Sequence, residues 1–376
     1  MNSKMKSEES WVQSDMKYNT FTLSDLATIK YGKNQKKVVS DSGSIPIYGT
    51  GGLMGYATEA LYDKPSVLIG RKGTIEKVRY VTHPFWTVDT LFYTMVNEKL
   101  VCPHYLYYLM SLIDLKQFNE GTTIPSLRTE TLNRIEFNIP ELAVQDQILA
   151  MIEPIEEKIE LNNEINKNLE QQAQAIYQQM FIDNASSGWT EGTLSDIADI
   201  IMGQSPSGSS YNEDGNGTIF FQGRAEFGFR FPTVRLYTTE PKRMACANDT
   251  LMSVRAPVGD LNVAHTDCCI GRGLAAIHSK NNHQSFVLYT MFSLKKQLDV
   301  FNSEGTVFGS INRNSLNEMP ILIPSSEKLD EFEALVAPMD AVIRNNYDEI
   351  CRLERLRDSL LPKLMSGELD VSDIDL

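Results

Sequence analysis

The chain has 376 residues, of which 42% are hydrophobic and 22% are charged, as in ordinary globular proteins. This length favours two or three domains, and no stretch approaches the roughly 18 apolar residues of a membrane span. The polar start of the chain (1–19) lacks the apolar core of a signal peptide, so we expect a cytoplasmic protein without a membrane partner. The five cysteines form no CxxC motif, and we expect all five to be reduced.

The net charge of −14 is unevenly distributed. Positive and negative side chains are nearly balanced in 20–140 and in 190–324, whereas the acidic excess lies entirely in 141–189 and 325–376. The distribution of charge, rather than its sum, decides where a phosphate backbone can bind. The two acidic segments should therefore stand away from nucleic acid or face a partner protein, while the balanced segments remain candidates for binding nucleic acid.

After the polar leader (1–19), the segment 20–140 predicts a domain of strands and short helices. Short β-branched and aromatic runs bounded by turn residues, such as Ser66-Val-Leu-Ile-Gly, predict the strands. The spacing of leucines predicts one helix over 104–118. An element that begins Glu120-Gly-Thr-Thr closes the segment at Ile139-Pro140.

The segment 141–183 predicts a long helix that packs against a partner helix. Apolar and amide side chains recur in steps of four and three over about four heptads, the pattern of a coiled coil. The seam consists of Ile148, Ile152, Ile155, Ile159, Asn162, Asn166, Leu169, Ala173, Ile176 and Met180.

The same seam returns in the segment 325–369, with every residue number raised by 184. Two matched helices in one chain predict a two-stranded coiled coil. Asparagines on such a seam fix register and orientation at a cost in stability, and we assign this role to Asn162, Asn166 and Asn346. In an antiparallel pair whose matched residue numbers sum to 512, Asn166 meets Asn346.

Between the two helices, the segment 184–324 repeats the first domain. Its opening, Thr193-Leu-Ser-Asp-Ile-Ala, matches Thr22-Leu-Ser-Asp-Leu-Ala with a numbering offset of 171, and the offset has grown to 184 at Gly121 and Gly305. The second copy is therefore longer inside the domain by the difference between these offsets. A counterpart helix is predicted over 285–301, and an acidic tail (370–376) ends the chain. The chain is predicted to be a tandem duplication of a domain and a long helix.

Motifs of catalysis are absent from the sequence. There is no Walker A loop, GxGxxG after a strand, HExxH or GxSxG. The glycine-rich stretch Gly49-Thr-Gly-Gly-Leu-Met-Gly55 lacks the lysine of a phosphate cradle, so a turn is predicted there. No acid–base or nucleophilic pair recurs in both copies outside helix-capping positions such as Asp25 and Asp196. We predict no catalytic residue and no metal site, and we expect the five histidines to be structural.

Loops rich in hydrogen-bond donors do recur in both copies. The turn 31–37 contains three lysines and two amide side chains and no acid, and its counterpart replaces charge with hydroxyl and amide groups. Cations and amides suit contact with phosphates and base edges. The candidate nucleic-acid contacts are Lys33, Asn34, Gln35, Lys36, Lys37, Arg71, Lys72, Arg128, Gln204, Ser205, Ser207, Arg224, Arg255, Arg272 and Arg313.

From about Tyr18 to Leu369 the chain resembles the DNA specificity (S) subunits of Type I restriction-modification systems. The resemblance rests on the duplicated Leu-Ser-Asp-Leu/Ile-Ala opening, the stretches Ile45-Pro-Ile-Tyr-Gly-Thr-Gly-Gly and Phe220-Phe-Gln-Gly-Arg-Ala, the Gly-Thr element running to Ile-Pro, and the final Leu360-Leu-Pro-Lys-Leu-Met-Ser-Gly-Glu-Leu. One departure is that the usual Glu-Gln at the start of each long helix reads Asp146-Gln147 and Asp330-Glu331, which affects local capping only.

The resemblance implies an α+β fold with two target-recognition domains, each reading half of a bipartite double-stranded DNA site. It implies an antiparallel coiled coil that sets the distance between them. It also implies two adenine methyltransferase subunits as partners, with restriction and translocase subunits in the complete enzyme. The chain would have no cofactor of its own, because S-adenosylmethionine, ATP and Mg²⁺ belong to those partners. Two other functions remain open: a coiled-coil scaffold that binds only protein, and an enzyme with a hidden site in one domain.

Overall fold

A computed structural model describes residues 17–303 and 309–371. Most of the polar leader, most of the acidic tail, and the start of the second Gly-Thr element (304–308) lie outside the described residues. Contacts divide the chain into two compact units. Unit 1 holds the described residues up to Glu160 and from Ile350 onward, and unit 2 is Leu161–Glu349. Each unit therefore contains one copy of the duplicated domain together with part of both long helices.

Unit 1 is built on two sheets and a strand pair. A four-stranded antiparallel sheet has the order β2-β8-β5-β6, a three-stranded sheet has the order β4-β3-β7 with β3 parallel to β7, and β1 pairs with β9. The strands are β1 (Tyr18–Thr22), β2 (Ala27–Tyr31), β3 (Ile45–Gly49), β4 (Gly52–Ala57), β5 (Ser66–Gly70), β6 (Val78–Val81), β7 (Trp86–Thr87), β8 (Leu91–Val96) and β9 (Glu136–Pro140). The short helices are α1 (Leu23–Leu26), α2 (Pro103–Ser111) and α3 (Thr129–Leu132).

The first long helix is α4 (Leu142–Tyr177), which continues as one π-helical segment, Gln178–Asp183. The domain of unit 2 follows it. Its strands are β10 (Thr190–Thr193), β11 (Ala198–Met202), β12 (Tyr211–Asn212), β13 (Thr218–Phe221), β14 (Leu236–Thr238), β15 (Met244–Ala245), β16 (Thr250–Ser253), β17 (Leu261–Val263), β18 (Cys268–Ile270), β19 (Leu274–Ser279) and β20 (Pro320–Ile323). Its helices are α5 (Leu194–Ile197), α6 (Gln284–Ser293), α7 (Lys295–Ser303) and α8 (Arg313–Asn317), and the second long helix is α9 (Ser326–Ser366).

The sheets of unit 2 repeat those of unit 1. A four-stranded antiparallel sheet has the order β11-β19-β16-β17, and β10 pairs with β20. The second sheet again contains one parallel pair, β13 with β18, but has five strands in the order β12-β14-β13-β18-β15. The additional length of the second copy thus enlarges this sheet. The predicted α+β class and tandem duplication are confirmed.

The helix caps also repeat. The backbone N–H of Thr22 donates to Asp25 Oδ2 at 2.8 Å, and that of Thr193 donates to Asp196 Oδ2 at 2.7 Å. These carboxylates satisfy backbone N–H groups at the starts of α1 and α5. The capping role predicted for Asp25 and Asp196 is confirmed.

The prediction of one continuous helix over 104–118 and over 285–301 was wrong. In unit 1, α2 ends at Ser111 and only a 3₁₀ turn, Leu115–Phe118, follows; in unit 2, α6 ends at Ser293 before α7 begins. The Ser111 hydroxyl donates to the Tyr108 carbonyl at 2.8 Å, and the Ser293 hydroxyl donates to the Thr290 carbonyl at 2.7 Å. Such local side-chain bonds compete with the helical pattern, which leucine spacing does not reveal.

The two long helices run antiparallel within each unit. In unit 1, Ile148 and Ile152 near the start of α4 share a core cluster with Leu361 and Leu364 near the end of α9. In unit 2, residues near the end of α4 share a cluster with residues near the start of α9, namely Ala173, Tyr177, Phe332 and Val336. Every predicted seam position in both helices is buried or half-buried.

The asparagine pair has the predicted partners. In unit 2, Asn346 Nδ2 donates to Asn166 Oδ1 at 2.8 Å, while Asn162 Nδ2 donates to Glu349 Oε2 at 2.8 Å. Asn162 and Asn166 are buried, with 1% and 2% of their surface exposed. A buried amide without a partner would be costly, so these bonds favour one alignment of the helices.

Replacing both Asn166 and Asn346 with leucine is expected to raise Tm by about 2–4 °C, because a polar pair on an apolar seam lowers stability in exchange for alignment. The single change Asn166→Leu should lower Tm, because it leaves the Asn346 amide without its partner. Cysteines introduced by Ala173→Cys and Met339→Cys, whose numbers also sum to 512, would report alignment by their cross-linking yield. A large loss of Tm in the double leucine variant would contradict this role.

Candidate nucleic-acid interface

The candidate residues of unit 1 lie mainly in loops at one end of the four-stranded sheet, where β2 and β5 end and β8 begins. The loops are joined by backbone hydrogen bonds. The N–H of Lys33 donates to the Thr87 carbonyl at 2.8 Å, the N–H of Arg71 donates to the Thr90 carbonyl at 2.9 Å, and the N–H of Leu127 donates to the Arg71 carbonyl at 2.9 Å. We call 31–37, 70–74, 86–90 and 121–128 together the first loop cluster.

Side chains in the first loop cluster differ in how firmly they are held. Arg71 lies over the ring of Tyr31, 5.1 Å from its centroid, and donates to the Asp89 carbonyl at 2.7 Å. Asn34 accepts from the N–H of Lys36 at 2.9 Å, so its amide shapes the turn. Arg128 pairs with Glu120 at 3.0 Å.

Four lysines of the first loop cluster are exposed cations. Within the described part of the chain, none of them lies within ion-pair distance of a carboxylate; they are Lys33, Lys36, Lys37 and Lys72. The Lys33 carbonyl accepts from Trp86 Nε1 at 2.8 Å, which fixes the backbone beside the first of them. Long, unpaired cations on a fixed backbone are suited to contact with a phosphate chain.

Unit 2 assembles equivalent loops at the corresponding end of its sheet. The N–H of Gln204 donates to the Ile270 carbonyl at 3.0 Å, and the N–H of Arg272 donates to Ser205 Oγ at 3.2 Å. We call 203–212, 254–257, 270–274 and 309–313 together the second loop cluster. It contains Gln204, Ser205, Ser207, Arg255, Arg272 and Arg313.

Arg224 lies outside both clusters. Its Nε is 2.7 Å from Asp260 Oδ2, so its charge is already paired.

Each domain is anchored to a long helix through an acidic residue. In unit 1, Glu156 of α4 accepts from the Tyr108 hydroxyl at 2.7 Å and lies 3.7 Å from His104 Nε2. His104 Nδ1 is 2.7 Å from Glu153 Oε1, and its ring stacks on Tyr80 with centroids 4.4 Å apart. Burial opposes protonation of His104, but hydrogen bonds and charge from Glu156 and Glu153 outweigh it and raise the pKa of His104 above its ordinary value.

The raised pKa predicts pH-dependent stability of unit 1. A group whose pKa is higher in the folded state stabilises it fully below its unfolded pKa, about 6.5 for histidine. This contribution is lost as pH rises through the higher folded value. We expect His104→Phe, which keeps a stacking ring without charge, to lower the free energy of unfolding most at acidic pH and progressively less toward alkaline pH. Denaturant titrations of both proteins across this range test this, and parallel pH curves would contradict it.

The anchor of unit 2 uses arginine. Asp340, which corresponds to Glu156 with the offset of 184, accepts from the Tyr289 hydroxyl at 3.0 Å and from Arg230 Nη1 at 3.1 Å. Arg230 Nη2 lies 3.0 Å from Glu170 Oε2, and only 5% of the Arg230 side chain is exposed. No sequence motif marks this cluster, because its members come from four distant parts of the chain.

A cavity of about 370 Å³ borders this anchor in unit 2. Ser285, Ala337 and Asp340 help to line it. The anchoring hydroxyls of Tyr108 and Tyr289 differ in number by 181, so Ser285 corresponds to His104, and with the offset of 184 on the long helices Ala337 corresponds to Glu153. Unit 2 therefore has a cavity at the place where unit 1 has a histidine–glutamate pair.

No activated nucleophile or metal cluster stands out in the described residues. All five cysteines are free, as predicted. Burial raises the pKa of Cys102 and of Cys268 to about 12, whereas a reactive thiol has a lowered pKa. Within 17–303 and 309–371, no three histidine, cysteine or acidic side chains are placed to hold a metal ion, and no helix is long and apolar enough to cross a membrane.

Comparison with known proteins gives consistent matches. A family model described as "Type I restriction modification DNA specificity domain" matches residues 15–171 and again 186–343. A putative type I restriction enzyme MjaX specificity subunit of Methanocaldococcus jannaschii is 30% identical over 298 residues, covering 73% of this chain and 70% of that protein. The type I restriction enzyme MjaIX specificity subunit of the same organism is 24% identical over 352 residues, covering 84% and 80%.

A solved structure agrees with the fold. The crystal structure of a Type-I restriction-modification system S subunit from M. genitalium superposes with a TM-score of 0.64 at 17% sequence identity, covering 94% of this chain and 97% of that one.

Proposed function

From the membership of this chain in the Type I restriction-modification DNA specificity family, we propose that it is the subunit that selects the DNA site of a Type I enzyme. The family model covers both copies of the duplicated domain. Each copy would read one half of a bipartite double-stranded target.

The observation that carries this proposal is the repeated loop cluster. In both units, loops distant in sequence are joined at the same end of equivalent sheets, and they present cations, amides and hydroxyls there. The clusters differ in most side chains, as expected if the two half-sites differ. The long helices carry most of the acidic excess of the chain, which suits surfaces that contact protein rather than phosphate.

The proposed partners are two adenine methyltransferase subunits, joined in the complete enzyme by restriction and translocase subunits. In this assignment the chain is not catalytic and acts on DNA in the cytoplasm. S-adenosylmethionine, ATP and Mg²⁺ would be bound by the partner subunits, which would also flip the target base. A scaffold that binds only protein would add no sequence-selective DNA binding to its methyltransferase partners, and an enzyme with a hidden site would turn over a substrate alone.

The test is DNA binding by the chain assembled with its methyltransferase subunits, measured at several salt concentrations. The triple variant Lys33→Ala, Lys36→Ala, Lys37→Ala should reduce the slope of log K against log salt by about one unit per lysine, and should weaken binding about equally across sequences. The control is the double variant Lys64→Ala, Lys99→Ala. Both lysines are exposed, and they lie just before β5 and just after β8, at the end of the same sheet opposite the first loop cluster. An unchanged slope in the triple variant would remove the 31–37 loop from the interface.

A further inference from the structure

One backbone contact is repeated in both loop clusters. An isolated antiparallel bridge joins Lys72 to Ser126 in unit 1, and another joins Arg255 to Ser310 in unit 2. Since Ser126 and Ser310 are related by the offset of 184, Lys72 and Arg255 occupy the same structural position, with an offset of 183.

The same two backbone hydrogen bonds form each bridge. The N–H of Leu127 donates to the Arg71 carbonyl at 2.9 Å, as the N–H of Ile311 donates to the Val254 carbonyl at 3.1 Å. One position beyond each cation, the N–H of Gly73 donates to the Pro125 carbonyl at 2.9 Å. In unit 2, the N–H of Ala256 donates to the Gly309 carbonyl at 2.9 Å. The match therefore rests on the same two backbone hydrogen bonds on either side of the cation in each unit.

Other candidate cations of the first loop cluster have no charged counterpart. By the same contacts Arg71 corresponds to Val254, which is buried, and by sequence offset Lys33 corresponds to Gln204 and Arg128 to Asn312. Lys72 and Arg255 are exposed, and neither has an ion-pair partner among the residues described. Of the described positions compared, only that of Lys72 and Arg255 has a cation without an ion-pair partner in both loop clusters, whose other side chains differ.

Lysine and arginine share charge and reach but not hydrogen-bond geometry. Recognition of a base edge depends on that geometry, whereas a phosphate contact depends mainly on charge. We propose that Lys72 and Arg255 are equivalent phosphate contacts, one for each half-site, which position each domain on the DNA without selecting bases. This inference rests on the proposed function and adds residue roles to it.

The test uses the complex with methyltransferase subunits and a duplex carrying the target motif, obtained by long-read mapping of methylated adenines. Lys72→Ala and Arg255→Ala should each reduce the salt slope by about one unit, and the double variant by about two. The loss of affinity should be about the same on duplexes with base substitutions in either half-site. The charge-preserving variants Lys72→Arg and Arg255→Lys should keep the wild-type slope of log K against log salt.

The outcomes separate this inference from the proposed function. Absence of DNA binding by the wild-type complex would overturn both. Wild-type binding together with unchanged salt slopes in the alanine variants would overturn only the phosphate contacts. The phosphate contacts would also be overturned if an alanine variant changed the base preference. They would be overturned as well if the charge-preserving variants did not keep the wild-type salt slope, because either result assigns base recognition to these residues. Tm values measured alongside, with Lys64→Ala as control, show that each variant is folded.

Discussion

Replacing Arg230 with methionine is expected to lower the free energy of unfolding by about 3–5 kcal/mol, the usual cost of removing one member of a buried ion pair. The Arg230 side chain is 5% exposed and neutralises both Glu170 and Asp340. It also donates from Nη2 to the Tyr289 hydroxyl at 3.1 Å. Burial already raises the pKa of Glu170 despite the nearby guanidinium, so loss of the cation leaves a carboxylate in a position that disfavours its charge.

Urea titration of the two proteins measures this effect. The matched control is Arg224→Met in the same unit, where the arginine is 51% exposed and its pair with Asp260 should contribute about 1 kcal/mol or less. Adding Glu170→Gln and Asp340→Asn to Arg230→Met should recover part of the stability, because the remaining groups are then neutral. A loss below about 1 kcal/mol for Arg230→Met would show that the arginine is not needed to neutralise these acids.

Lengthening both long helices by one heptad should lengthen the unread gap between the half-sites and leave the half-sites themselves unchanged. One heptad adds about 10 Å at roughly 1.5 Å per residue, which is about three base pairs at roughly 3.4 Å each. Insertions after Asn162 and after Asn346 keep the seam in phase. Because both insertions shift the antiparallel pairing by the same amount, the Asn346–Asn166 and Asn162–Glu349 hydrogen bonds are kept.

Methylome mapping of cells that carry the lengthened variant measures the gap directly. Three base pairs add a twist of about 100° between half-sites, so some activity should be lost. The control carries the heptad in α9 alone, which breaks the pairing and should abolish methylation at either gap length. Altered half-sites with an unchanged gap would contradict this assignment of the gap to the helices, and would assign base selection to them instead.

The long helices were the most predictable part of the fold. Their heptad pattern is local in sequence, and the duplication places both helices of the coiled coil in one chain. The seam could therefore be predicted from the heptad pattern, and the Asn166–Asn346 pair from the antiparallel numbering. The breaks after Ser111 and Ser293 did not, because they depend on single side-chain bonds to the backbone.

The assembly of the two loop clusters could not be predicted from the sequence. Residue type identified the donor-rich loops, but their assembly depends on strand pairings such as β2 with β8 that bring distant segments together. The numbering offset between the two copies is 171 at their starts and 184 at their ends, so the sequence alone does not align the residues in between. The bridges to Ser126 and Ser310 were needed to match Lys72 with Arg255. Arg230 lies within the longer part of the second copy, and nothing in the first copy marks its position.

The different anchors of the two units limit how a domain can be moved from one position in the chain to the other. His104 needs the acid at Glu153, whereas the corresponding position on the second helix is Ala337, beside the cavity. A first domain grafted onto the second helix would place His104 near that cavity without its glutamate, and would leave Glu170 and Asp340 without Arg230. A functional exchange cassette should therefore extend past the Ile-Pro boundary into the first turns of the following helix, and recombination breakpoints that preserve function should lie within the helices rather than at their starts.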